Sequence, residues 1–286
     1  ENYGLNGGIR YDNKNIISSE EGYDNSFNAL SSSAGIYFTE KNHILRFTYS
    51  DAFRAPHFSE LFSNGVHHGT SRYELGNSDL TLEKSHQFDF KYQWSNNHFG
   101  LVLNPFTQNI EDFISINPTD SFHQNNYRIY NYDQFKKVNL SGFEMNLHYH
   151  PHIIHNLHIE QSYSFIKTKN HDINNVLALT PTNKIKTGVK LDFESQDLLF
   201  NIKTLSIYHV YSFEQNDVVE NETPSNSYSV FNLGLNFQLF KTVSAVLTFN
   251  NLLNEEYVPH LSRVKEIAGG IPNPGRSFSF SLKYDI

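Results

Sequence analysis

The side chains best suited to holding a ligand stand in the stretch SNGVHHGTSRYELGN, residues 63–77. His67 and His68 are neutral imidazoles near pH 7, and such rings bind zinc, copper and haem iron well. Gly65 and Gly69 flank them and allow a tight turn that presents both rings. Adjacent side chains on a regular strand point to opposite faces, so both rings serve one ion only where the backbone is irregular. Zinc needs further nitrogen or oxygen ligands, and His57, Glu60 and Glu74 are near in sequence. Haem is the main competitor, because one histidine suffices as an axial ligand. Arg72 and Tyr73 place an arginine beside an aromatic in the same stretch.

Other chemistries are excluded or unsupported. Lys plus Arg is 22 and Asp plus Glu is 30, a formal charge of −8. That argues against a nucleic-acid partner, which needs a basic face to displace counterions. With no Cys, disulfides, thiolate metal sites and Cys nucleophiles are excluded. The chain has no G-x-S-x-G, Walker or His-Glu-x-x-His pattern, so no enzyme activity is expected.

Positioning these residues falls to strands. Hydrophobic residues are 38% of the chain, yet it holds 24 Phe and 17 Tyr. Alternation with period two dominates. Phe88, Phe90, Tyr92 and Trp94 alternate with Gln87, Asp89, Lys91 and Gln93. Phe143, Met145, Leu147 and Tyr149 alternate with Glu144, Asn146, His148 and His150. Phe278, Phe280, Leu282 and Tyr284 alternate with Ser279, Ser281, Lys283 and Asp285. Segments of about ten residues suit tilted membrane-spanning strands.

Twelve strands are expected, near 2–12, 27–39, 43–53, 84–95, 98–117, 127–150, 155–168, 183–194, 197–212, 227–240, 242–253 and 275–286. Connections near 40–42, 96–97, 151–154, 195–196 and 241 are short. Those near 13–26, 54–83, 118–126, 169–182, 213–226 and 254–274 are long and polar. A soluble sandwich has no reason to place every long loop at one end. An outer-membrane barrel does, with short periplasmic turns, long outer loops, apolar side chains toward lipid and polar ones toward the lumen. The opening ENYGLNGGIRYDN has no signal-peptide pattern and reads directly as a strand, as expected of a fragment or processed form. A second histidine group, His148, His150, His152, His155 and His158, straddles the short connection at 151–154. It is either an exit-side metal site or ordinary turn and lumen polarity.

Five stretches in order resemble the TonB-dependent outer-membrane receptors. The first is residues 49–85, with FRAP (Phe53 to Pro56), ELF (Glu60 to Phe62) and GNSDLTLEKS (Gly76 to Ser85). NPFTQNIEDFI (104–114), NLSGFEMNLHY (139–149), NLLNEEY (251–257) and PGRSFSFSLKYDI (274–286) follow. One departure is Ile286, where the family has an aromatic terminus.

The resemblance implies an all-β transmembrane antiparallel barrel. Residues 1–286 would be its C-terminal part, about the last twelve strands of a 22-stranded wall around a plug carried elsewhere. It also implies import of a scarce metal or metal complex, driven by TonB acting on the plug. Partners would be TonB, outer-membrane lipid and the metal ligand, with no permanently bound cofactor and with zinc, haem or a ferric siderophore as cargo. The Gly-x-His arrangement is similar to the zinc-receptor subgroup, which ranks His67 first and His68 second as ligands, others coming from the plug. Phe53 to Pro56 read as the end of a strand that Pro56 stops, a structural role, although Arg54 could pair with an acidic group of plug or lumen. A passive porin-like channel and a soluble β-sandwich binding module remain the alternatives.

Overall fold

A computed structural model of the protein describes residues 2–19, 21–124, 127–193, 201–265, 267 and 270–284. Its elements begin with β1 (Tyr3–Ser18), β2 (Tyr23–Glu40), β3 (His43–Arg54) and α1 (Phe58–Phe62). A small hairpin follows, β4 (Asn64–His67) and β5 (Arg72–Leu75). Then come β6 (Glu83–Ser95), β7 (Phe99–His123), β8 (Tyr127–Tyr149), β9 (Leu157–Asn170) and β10 (Lys184–Asp192). The last four are β11 (Asn201–Ser212), β12 (Tyr228–Phe240), β13 (Val243–Asn250) and β14 (Ser277–Tyr284). The expected connection at 195–196 and the terminal Asp285 and Ile286 lie outside the described residues.

Without β4 and β5, the strands pair in sequence order, β1-β2-β3-β6 and on to β14, each antiparallel to the next. They are the twelve strands that the alternation requires. All belong to one sheet, so the soluble sandwich fails for want of a second layer. In mid-sheet the apolar stripe faces outward: Phe47 is 44% exposed, Phe88 41% and Ile207 42%. Exposed apolar bands of this kind on interior strands suit contact with hydrocarbon. On the opposite face Arg46, Gln87, Asp89, Asn104, Gln108 and Glu144 share one hollow. No described helix is long and apolar enough to cross a membrane; the strands are what cross.

The structure differs from the expected boundaries at the outer end. Residues 13–26 and 118–126 were expected as long loops, but β1, β2, β7 and β8 continue through most of them. β7 has 25 residues, against the ~10 that a bilayer needs. Above the lipid both faces meet water, so alternation disappears while backbone pairing continues, as in Asn13↔Asn28 and Asn15↔Ser26. The hairpin β4–β5 within 54–83 was also unexpected; its four-residue strands are too short to show a period.

The receptor-like motifs meet in space. Arg54 Nη1 donates to Glu60 Oε1 and Oε2 at 2.9 and 2.8 Å, and Nη2 to Glu83 Oε2 at 3.1 Å. Its acidic partners therefore come from the ELF and LTLEKS stretches of this chain. Gly76 fits against α1 so closely that a Cβ would lie 2.6 Å from the Leu61 carbonyl. Below this junction Leu61, Leu80, Ala55, Ile114, Ile16 and Phe27 form the main buried cluster. The motif thus fastens the β3–β6 connection to the inner side of the strands and directs β4–β5 over the mouth. Gly142 has a similar role within the sheet, since a Cβ would come 2.2 Å from the Phe165 carbonyl oxygen.

Candidate functional site

The hairpin determines where the site lies. β5 pairs in parallel with β8, Arg72↔Arg128 to Leu75↔Asn131. β9 leaves the other stretch of β8 at Val138↔Asn170, so the hairpin takes over the vacated edge. It starts from the β3–β6 connection and so passes β6 and β7 to get there. This path brings β4 and β5 into the outer mouth, facing the loops that follow β9, β11 and β13.

Between them lies a cavity of about 600 Å³. His67, Thr70, Arg72 and Glu74 line it from the hairpin, and Tyr130 and Tyr132 from β8. Leu179, Glu222, His260, Arg263 and Lys265 come from the facing loops. Arg72 Nε donates to Glu74 Oε1 at 2.7 Å, and its guanidinium lies 4.8 Å from the Tyr130 ring centroid. Tyr132 donates its hydroxyl proton to Glu74 Oε2 at 3.2 Å. Both Glu74 oxygens are therefore engaged.

Glu222 holds the loops together. Its carboxylate accepts the Leu179 N–H at 2.8 Å and the Val219 N–H at 3.3 Å. His260 Nε2 stands 3.3 Å from Glu222 Oε1, outside hydrogen-bond alignment, and both side chains are nearly fully buried. His260 Nδ1 is 3.1 Å from Ser225 Oγ and from Lys265 Nζ. Lys265 also donates to the Thr223 carbonyl. The two acidic side chains of the cavity are thus occupied by protein, whereas Arg263 has no ion-pair partner among the described residues.

Of the expected ligand-binding residues, His67 lines the cavity, its Nδ1 3.1 Å from Thr70 Oγ1. His68 lies in the exposed turn beyond β4, outside that lining. Arg72 and Glu74 face the cavity. Tyr73 faces away, stacked on His123 at 4.2 Å with its hydroxyl donating to Asn64. Glu60 belongs to Arg54 and to the His57 backbone N–H. No three His, Asp or Glu side chains converge to hold a metal ion among the described residues. Glu222 and His260 were not apparent from sequence: they are far apart in the chain, in loops without a recognisable motif.

At the short-turn end the second histidine group is larger than the sequence suggests, because His98 from the β6–β7 turn joins it. Partial burial, then the neighbouring rings of His158, His155, His98 and His148, hold the His150 imidazole below its usual range.

Residues 1–252 match the family described as TonB dependent receptor-like, beta-barrel. The chain belongs to the TonB-dependent receptors. That family places these strands in the outer membrane of a Gram-negative bacterium and is one of receptors and transporters, not enzymes. Solved receptors share the fold. The copper transporter OprC superposes with TM-score 0.83 at 17% identity, covering 100% of this chain and 45% of its own. The FrpB iron transporter from Neisseria meningitidis (F3-3 variant) gives 0.72 at 16%, covering 99% and 43%. The siderophore receptor PirA from Acinetobacter baumannii gives 0.69 at 18%, covering 99% and 43%. This chain therefore spans less than half the length of those receptors.

Proposed function

We propose that this receptor imports a chelated metal bearing negative charge, a ferric siderophore or a related complex, and that the mouth cavity captures it. The lining carries the reading. Arg72, Arg263 and Lys265 outnumber the carboxylates Glu74 and Glu222 by one charge; Arg72 and Glu74 pair with each other, and Arg263 has no ion-pair partner among the described residues. Tyr132 adds aromatic surface for a chelator's rings, and the buried Tyr130 backs the Arg72 guanidinium. A bare cation would instead need several donors converging on one point. The printed names of the structural relatives, which include copper, iron and siderophore transporters, support the class. The energy is taken to come from TonB acting on a plug, as the family resemblance implies, and the polar inner face of the strands gives a hydrated cargo its path.

A second reading, direct capture of zinc, is favoured by His67, whose Nε2 no described residue engages. It requires further ligands from outside this chain. Both readings give ligand contact to His67 rather than to His68.

The test is binding of ferric catecholate and hydroxamate chelates, haemin and zinc sulfate to the full-length receptor in detergent, followed by intrinsic fluorescence. A ferric chelate is expected to bind, and Arg263→Glu to weaken it about tenfold or more through charge reversal beside an anion. A receptor that binds zinc alone, or an Arg263→Glu variant as tight as the parent, overturns the chelate reading. Ohmic conductance of the full-length protein in a planar bilayer without TonB would point to a passive channel.

A further inference from the structure

The short-turn end holds a group of side chains that the mouth does not explain. His98 lies in the turn between β6 and β7, and His150, His152 and His155 lie in the neighbouring turn between β8 and β9. Ring centroids are 3.6 Å apart for His98 and His152 and 6.2 Å for His98 and His150. They are 6.0 Å apart for His150 and His155 and 6.4 Å for His152 and His155. Two imidazoles sharing a tetrahedral ion through bonds of about 2.0–2.1 Å have centroids roughly 5 Å apart.

The hydrogen bonding is as informative as the spacing. His98 Nδ1 meets the His150 carbonyl at 3.0 Å, which fixes that ring by its inner nitrogen and leaves Nε2 for a ligand. A ligating imidazole is ordinarily held this way, by a backbone carbonyl on its other nitrogen. His150 Nε2 is buried and has no hydrogen-bond partner. A buried imidazole nitrogen without a partner loses its hydration for no return unless something else fills the role. His152 and His155 are exposed and make no side-chain hydrogen bond among the described residues. As they stand no three donors converge, and the 3.6 Å His98–His152 pair is closer than two ligands of one ion, so a closed site requires the exposed His152 and His155 to turn about their side-chain bonds.

Beside them His148 Nε2 and His158 Nδ1 are 3.1 Å apart, and His158 Nε2 is 3.5 Å from Asp192 Oδ2. That pair is already satisfied and flanks the site: His150 lies 4.8 Å from His158 by ring centroids.

We propose that His98, His150, His152 and His155 form a second metal site, on the periplasmic side of the wall, for one borderline divalent ion of the zinc type. The all-nitrogen donor set suits zinc, copper(II) or nickel and offers nothing to calcium or magnesium, which take oxygen. The site is separate from the mouth and independent of what the mouth captures. When filled it reinforces the tie between the β6–β7 and β8–β9 turns, which are already joined by the His150 N–H to His98 carbonyl bond at 2.7 Å and by contacts of the His98 ring with His150 and His152.

The experiment titrates zinc sulfate into the full-length receptor in detergent by calorimetry. The parent and a His67→Ala variant are expected to bind one zinc equally at this site. A His152→Asn, His155→Asn double variant, altered only at exposed turn positions, is expected to weaken that binding at least tenfold. His150→Asn is the second variant and is expected to do the same. Protection of His152 and His155 from diethyl pyrocarbonate by zinc, read by mass spectrometry, locates the ion. Equal zinc affinity in the parent and the double variant overturns the proposal, as does unprotected modification of both rings at saturating zinc.

Discussion

At the mouth, His260 is 2% exposed by side chain and faces a buried carboxylate, with Ser225 and Lys265 on its other nitrogen. At the short-turn end, six imidazoles crowd together, and among the described residues only His158 of the six reaches a carboxylate. The same residue type therefore does two kinds of work. His260 is enclosed by loop groups, with Nδ1 engaged and Nε2 set against the Glu222 carboxylate out of hydrogen-bond alignment, and there it fastens loops. At the short-turn end histidines face one another with nitrogens left over, the feature on which the proposed metal site rests. On the reading proposed above, the mouth takes its binding character from Arg263, Arg72 and Tyr132, and uses His260 as structure.

The strongest way to break this contrast is to remove Glu222. Glu222→Ala strands the buried His260 and leaves the Leu179 and Val219 N–H groups without an acceptor. Breaking a buried, hydrogen-bonded charge contact costs about 3 kcal/mol or more. Because the carboxylate joins three loops, the cost should fall on the mouth while the sheet stays paired. Rapid trypsin cleavage after Arg263 and Lys265 in intact outer-membrane vesicles, with an unchanged circular dichroism spectrum for the barrel, is the expected result. Cleavage at the parent's rate would mean that Glu222 does not hold the loops, and that the two histidine regions differ less than their geometry suggests.

Next in size is Arg54, the ion centre at the base of the mouth. Arg54→Met leaves Glu60 and Glu83, both largely buried, as uncompensated neighbours. A loss of about 2–3 kcal/mol is expected in chemical unfolding from lipid vesicles. Arg10→Met is the internal control. Its pair with Asp12 is exposed on both sides, so its loss should fall within about 0.5 kcal/mol. Equal effects of the two substitutions would show that the junction of the three motif stretches does not carry the hairpin.

These residues also show what could be read from sequence. The strands were legible because lipid imposes alternation along each of them, and Phe88 to Trp94 carries that pattern without interruption. The motif stretches were legible as text, and the reason for them was not. Glu83 stands opposite Arg54 in the β3–β6 ladder, and Glu60 joins them because α1 folds back toward that pair. Glu222 and His260 left no trace in sequence, since neither loop has a period and their meeting depends on where β11 and β13 end. Asn13 to Ser18 read as a loop because water on both sides removes the alternation, although the ladder continues there.

The smallest expected effect concerns the residue that the sequence ranked beside His67. His67 borders the cavity and contacts Thr70, one of its buried walls. His68 occupies the exposed turn after β4 and touches no lining residue through a hydrogen bond or ring contact among the described residues. Surface substitutions of that kind change stability by about 0.5 kcal/mol at most. His68→Ala should therefore leave both folding and ligand affinity within about twofold of the parent, a change close to 0.4 kcal/mol. His67→Ala should weaken capture severalfold in the same fluorescence titration. If His68→Ala proved the more damaging of the two, the ligand would have to sit on the outer side of the hairpin, and the cavity between hairpin and loops would not be where capture begins.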